Sequence, residues 1–241
     1  GERTGIGFDV VINIGGKDTE EGFGGGASLT VWAERSMIPV KDAEGTTTGT
    51  REEDWAFQKV EISGVRVSIK KPNVVDLDGM INFFDADPTY GDGFKGSLEG
   101  KIQTIGVKAE ALFGKTPTFR YWYADALVEI KTGMPVVPGV MSAYGFGGGF
   151  YSKMKQTTQA VASTLGRTKS GITYIPDENT FGIRAIVLIG AARKEAWNGE
   201  VALDVSLNRH GGINSVTFTG NANFMSPMAI AGDKIKEMAS S

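Results

Sequence analysis

The sequence predicts an all-β fold: a strongly curved antiparallel sheet, barrel-like or half-closed, with one or two short helices. Three observations carry this expectation. Apolar residues recur at every second position over most of the chain. The amphipathic runs follow one another across short turn-like links, the pattern of a meander. Glycine makes up 34 of 241 residues, about double its usual share, with no collagen-like period, which points to bulged and kinked strands.

The elements follow in order. In "IGFDVVINI" the residues Ile6, Phe8, Val10, Ile12 and Ile14 share a face, with Asp9 and Asn13 opposite. "ASLTVWAE" groups Leu29, Val31 and Ala33. The charged, turn-rich stretch 41–54, "KDAEGTTTGTREED", reads as a mobile loop. "VEISGVRVSIKK" sets Val65, Val67 and Ile69 against Arg66, Ser68 and Lys70. Next come "VVDLDGMINFF", "GFKGSLEGKI" and "IGVKAEALF", the last two joined as a hairpin across Gln103-Thr104. "FRYWYADALVEI" has the aromatic and β-branched content of a strand. "FGIRAIVLIGAA", "WNGEVALDVSLN" and "INSVTFTGNANF" complete the series, and the last two form a hairpin across "RHGG". Two helices are expected. One spaces Met154, Thr158, Val161 and Leu165 at helical intervals and stops at Gly166; the other is a terminal helix over 227–239, opened by Ser226 and Pro227.

Composition excludes several function classes. With 25 Lys+Arg against 28 Asp+Glu there is no positive field to hold nucleic acid. The absence of cysteine rules out disulfides and thiolate metal sites. No run of about 18 apolar residues is present, so no membrane-spanning segment is expected. The chain reads as a single β domain over 1–241, cut from a longer polypeptide.

"GFGGG" occurs at 22–26 and again at 145–149. A phosphate-gripping loop needs a strand before it and a helix after it. Neither run has that setting, and neither carries G-K-[ST]. The glycines are read instead as places where a sheet bends, with aromatic side chains lying over them from neighbouring strands. The second run is expected as a kinked strand and the first as a loop entering a strand.

Candidate chemistry is sparse. Asp85, Asp87 and Asp92 crowd one turn, a candidate Ca²⁺ site whose spacing departs from the EF-hand pattern; an ordinary acidic turn is the simpler reading, and otherwise no cofactor is expected. Tyr121, Trp122 and Tyr123 are candidates for binding a sugar or an apolar ligand, with Trp122 on the face opposite the two tyrosines; a sheet core covering glycines is the simpler reading. The lone histidine, His210, lies in a turn. Glu110, Asp125 and Glu129 are acids that the sequence does not place relative to one another, so a glycosidase pair is not identifiable. No catalytic residue is assigned.

"YGDGFKGSLEGKI", "FRYWYADALVEI", "SAYGFGGGFYSKM" and "GGINSVTFTGNANFM" resemble segments of very large, poorly characterised, β-rich proteins of Bacteroidota. The resemblance runs over about residues 80–225 and leaves the first 70 without a counterpart. It implies a non-enzymatic structural or binding module of a larger secreted, cell-surface or particle-loaded protein, partnered by the rest of that polypeptide. Some such proteins are encoded beside extracellular contractile injection systems, so a cargo or effector domain is an alternative. A carbohydrate-binding or carbohydrate-active domain is a third expectation.

Overall fold

Every second residue of a strand meets the same surroundings, and long stretches of this chain obey that rule without interruption. The outcome, in a computed structural model that describes residues 2–14, 21–41, 43–159, 161–193 and 195–225, is one sheet of eleven strands. These are β1 (Glu2–Ile14), β2 (Gly22–Lys41), β3 (Thr47–Lys71), β4 (Val75–Asp87), β5 (Gly91–Ile102), β6 (Ile105–Lys115), β7 (Arg120–Val137), β8 (Met141–Thr157), β9 (Thr173–Ala191), β10 (Trp197–Asn208) and β11 (Ile213–Phe224). Each pairs antiparallel with the next, so spatial order equals chain order. The all-β, antiparallel expectation holds, and the sheet is curved without being closed. Both hairpins form: Ile102 faces Ile105 across Gln103-Thr104, and β10 meets β11 across a turn in which Gly211 takes φ +81°.

Three local expectations differ. No helix forms among the described residues, and Met154–Thr157 pair instead with Thr173–Pro176 of β9. A bulge at Lys153, whose φ is +53°, offsets the alternation there and turns Met154 into an aromatic cluster, which imitates helical spacing. The stretch taken for a loop over 41–54 is a turn around 43–46 followed by strand, with Arg51 opposite Pro39 and Glu52 opposite Ile38. Residues 51–60 are exposed at every position, so polar groups are tolerated on both sides and the composition resembles a loop. The first "GFGGG" is already strand, starting β2 at Gly22. The terminal helix over 227–239 lies outside the described residues.

The second "GFGGG" is where the sheet folds. Gly145, Gly147 and Gly149 of β8 point to the same side as Glu129, Leu127 and Asp125 of β7. β7 and β9 approach to within 8 Å between Cα atoms across β8, closer than the ~9.6 Å of two spacings in a flat sheet. Asp125 Oδ2 and the Tyr174 hydroxyl move in beside Gly149. Aromatic rings cover other glycines as anticipated: Tyr121 lies over Gly114 and Tyr151 over Gly182, each from the directly opposed position.

A Cβ at Gly147 would meet the Ala126 carbonyl and lie 2.9 Å from Leu127 Cδ1, whereas one at Gly7 has nothing within 4 Å. Gly147→Ala is expected to destabilise the fold by about 1–3 kcal/mol, and Gly7→Ala to change stability by less than about 0.5 kcal/mol. Paired denaturant titrations of the two variants measure the difference.

Candidate functional site

The two faces of the sheet differ in kind. On one, a row runs through every strand as Ile14, Phe23, Ile69, Leu77, Gly100, Val107, Val128, Phe146, Val187, Val201 and Gly220. Two residues along, the row Val67, Gly79, Leu98, Ala109, Ala126, Gly148, Ala185 and Leu203 is equally free of charge. Phe83, Phe94, Phe113 and Trp122 border this face as a ladder with ring centroids 6.2, 5.1 and 6.3 Å apart. The next positions on that face, Lys115 and Arg120, are charged. Much of the band is bare: Phe150 is 60% exposed, Phe218 73% and Leu98 39%.

The opposite face carries the charge. β4 contributes Asp76 and Asp78, β5 Lys95 and Glu99, β6 Lys108 and Glu110, β7 Asp125 and Glu129, β9 Arg184, and β10 Glu200 and Asp204. β8 carries no side chain on this face at Gly145, Gly147 and Gly149, so this face is the concave one. Cross-strand pairing settles the charges: Arg66 binds Asp78 at 2.6 Å, Lys108 meets Glu129 at 3.1 Å, and Arg184 Nη2 meets Glu200 Oε1 at 3.3 Å.

A segment between β8 and β9, described over 161–172, folds down onto this face. Lys95 Nζ donates to the Arg167 carbonyl at 2.6 Å and lies 3.4 Å from Glu110 Oε1. Glu110 Oε2 accepts from the Lys169 backbone N–H at 2.7 Å. The Tyr123 hydroxyl donates to the Leu165 carbonyl at 3.3 Å, and the Tyr90 hydroxyl to the Tyr174 carbonyl at 2.8 Å. Val161, Leu165 and Ile172 pack on a cluster of Tyr90, Leu112, Tyr121, Tyr123, Tyr151, Met154 and Tyr174. The Tyr123 and Tyr174 rings stack with centroids 5.0 Å apart, and the Tyr151 ring tilts against that of Tyr174 at the same distance. A hydroxyl that finds a carbonyl lets tyrosine serve as core where phenylalanine would leave those carbonyls bare.

Burial shifts several of these groups. It pushes the Tyr90 phenol up to about 12 and raises those of Tyr121, Tyr123 and Tyr174. It lowers the Lys95 ammonium against the pull of Glu110, and it raises Glu200 against the pull of Arg184. Asp125 is pushed up to about 6 by burial, despite the Ser170 hydroxyl and the Arg184 guanidinium. Asp125 Oδ2, the Tyr174 hydroxyl, and Nε and Nη1 of Arg184 are buried with no hydrogen-bond partner among the described residues.

The residues singled out from the sequence are not brought together. Tyr121 and Tyr123 are buried under the 161–172 segment, while Trp122 stands on the apolar face, so the three form no single ligand platform. Asp87 Oδ1 accepts from the Thr89 and Tyr90 N–H groups, and Asp92 Oδ1 accepts from that of Ala86. The Asp85 and Asp92 carboxyls lie close to each other, and this proximity raises Asp85. These acids organise their turn, and no metal-holding group occurs among the described residues. The backbone N–H of His210 donates to Asn208 Oδ1 within the exposed β10–β11 turn. Glu110 and Asp125 turn out to be directly opposed neighbours of the concave face. Their strand parity was readable; the segment that covers them was not. Comparison with family models, curated proteins and solved structures finds no match for this chain.

Asp125 has the opposite pH signature to a carboxylate held by a partner. Because its folded value lies above the unfolded one, the native state binds the extra proton, and Asp125 costs stability as pH rises from about 4 through 6. Asp125→Asn is expected to stabilise the protein at pH 7 by on the order of 2–3 kcal/mol, with the gain vanishing near pH 4. Thermal melts of both proteins across that range decide it.

Proposed function

We propose that this chain is a non-enzymatic structural module of a larger bacterial polypeptide, and that it forms part of the wall of a transmembrane β-barrel. One observation carries the reading: the uncharged, exposed apolar band that crosses all eleven strands on a single face. A water-soluble cargo or sugar-binding domain would have to cover that band with a second layer. In a bilayer the lipid is the second layer, and the charged face turns to the lumen.

The dimensions agree. From Ile102 to Phe94 the band covers nine residues of β5, about 26 Å along the strand and about 20 Å after a tilt of ~40°, against an apolar height of about 25 Å in outer-membrane barrels. Aromatic residues gather at one border with charge just beyond, as they do at a membrane interface. No helix among the described residues is long and apolar enough to cross a membrane, and the expectation of no spanning segment rested on helices alone. Strands cross with alternating rather than continuous apolar residues.

β1 and β11 each pair on one side only among the described residues. Lipid does not accept a bare sheet edge, so the wall is completed by further strands. With eleven alternating strands, β1 and β11 run the same way. Antiparallel closure therefore takes an odd number of additional strands.

The native chain has no cysteine, so single cysteines placed along β5 report cleanly. In bilayers, a membrane-impermeant maleimide should label Cys at Ser97 and Glu99 and spare Cys at Gly96 and Leu98. Equal labelling at all four would overturn the membrane reading. Ala109→Arg, in the middle of the band, should cost about 2–4 kcal/mol of folding into lipid, and Ser97→Arg much less, as read by urea titration in vesicles.

A further inference from the structure

We infer that the 161–172 segment is a displaceable plug: docked, it occludes an aqueous path along the concave face, and undocked, it lets small hydrophilic solutes pass. This rests on the membrane-wall reading, which supplies the lumen.

Four observations support it. First, the segment has no helix or strand of its own. It has one isolated bridge, Arg167 to Thr173, and a small turn closed by Thr168 with Ser170 and Ile172, which can move as a unit. Second, its buried charged anchors grip backbone atoms and also hold each other, while the one side-chain ion pair to the wall, Lys169 Nζ with Glu99 Oε2 at 2.9 Å, is partly exposed. Lys95 takes the Arg167 carbonyl, Glu110 takes the Lys169 N–H, and the two side chains lie 3.4 Å apart. If the segment leaves, Lys95 and Glu110 still have one another, and no isolated buried charge results. Third, the wall beneath is poorly satisfied while covered. The buried carboxylate oxygen of Asp125, the Tyr174 hydroxyl and two nitrogens of Arg184 lack hydrogen-bond partners, and water reaching them on undocking would supply some. Fourth, there is room to move: a cleft of about 880 Å³, lined by hydroxyl and amide groups such as Thr157, Thr164 and Gln156, by a few apolar side chains and by Lys155 and Arg167, opens between the segment and the facing ends of β8 and β9. The apolar contacts of Leu165 and Ile172 with the tyrosine cluster hold the docked state. They set how far the equilibrium lies toward closure.

The path is lined by both signs of charge, so the solutes it suits are small and hydrophilic and not selected strongly by sign. Potassium chloride is the probe.

The test uses the full polypeptide in planar bilayers. Glu110→Cys with Lys169→Cys places the only two thiols of this chain where the Glu110–Lys169 anchor stood. Oxidised, the disulfide should hold the segment down and keep conductance at the native level. Reduced, the anchor is gone, and conductance should rise at least tenfold. A second variant, Lys95→Met with Glu110→Gln and Lys169→Met, removes these anchors and the Lys169–Glu99 ion pair without cross-linking and should show the same rise. If both reduced and uncharged proteins insert, as judged by resistance to alkaline extraction, yet conduct like the native protein, the plug is refuted. Failure of the native protein to insert would sink the membrane reading itself, a separate result.

Discussion

The structure depends on one constraint: a strand cannot put consecutive side chains on the same side. Once apolar residues occupy alternate positions on eleven neighbouring strands in matched register, every intervening charge must gather on the other face. The sheet therefore has one face that avoids water and one that requires polar partners. Its curvature, its buried network and its surroundings follow from that division. A one-residue slip of a charge-bearing strand such as β6 or β7 would drive its charges into the apolar band, so the alternation also protects the register.

The polar face is resolved by local pairing. Opposed strands offer acids and bases to each other, as in Arg66 with Asp78 and Lys108 with Glu129. Where that pairing is incomplete, near Asp125 and Arg184, tyrosines and the 161–172 segment fill the space. The bare side of β8 makes this geometry accessible. Without side chains at Gly145, Gly147 and Gly149, the rings and carboxylates of the flanking strands reach across. The same glycine run therefore serves both the bend and the depth of the concave face.

Much of this was legible beforehand. The opposition of Tyr121 and Tyr123 to Trp122, the two hairpins, and the rings lying over glycines all follow from period two and glycine content, which are local properties. The misread elements share one cause. At Met154 a bulge broke the period and imitated a helix, and over 47–54 exposure on both faces erased the alternation. In each place the local pattern was overruled by a partner strand.

By itself the sequence determined most of the strands and, within them, which side each residue faces, because side-chain direction in a strand depends only on parity. The tertiary structure alone decided that the eleven strands lie in chain order with their apolar sides aligned, that Glu110 and Asp125 become neighbours, and that residues 161–172 fold back over them. Those facts join positions as far apart as Glu110 and Lys169. Contacts over that separation are chosen by the packing of the whole sheet, and no local pattern in the chain encodes them.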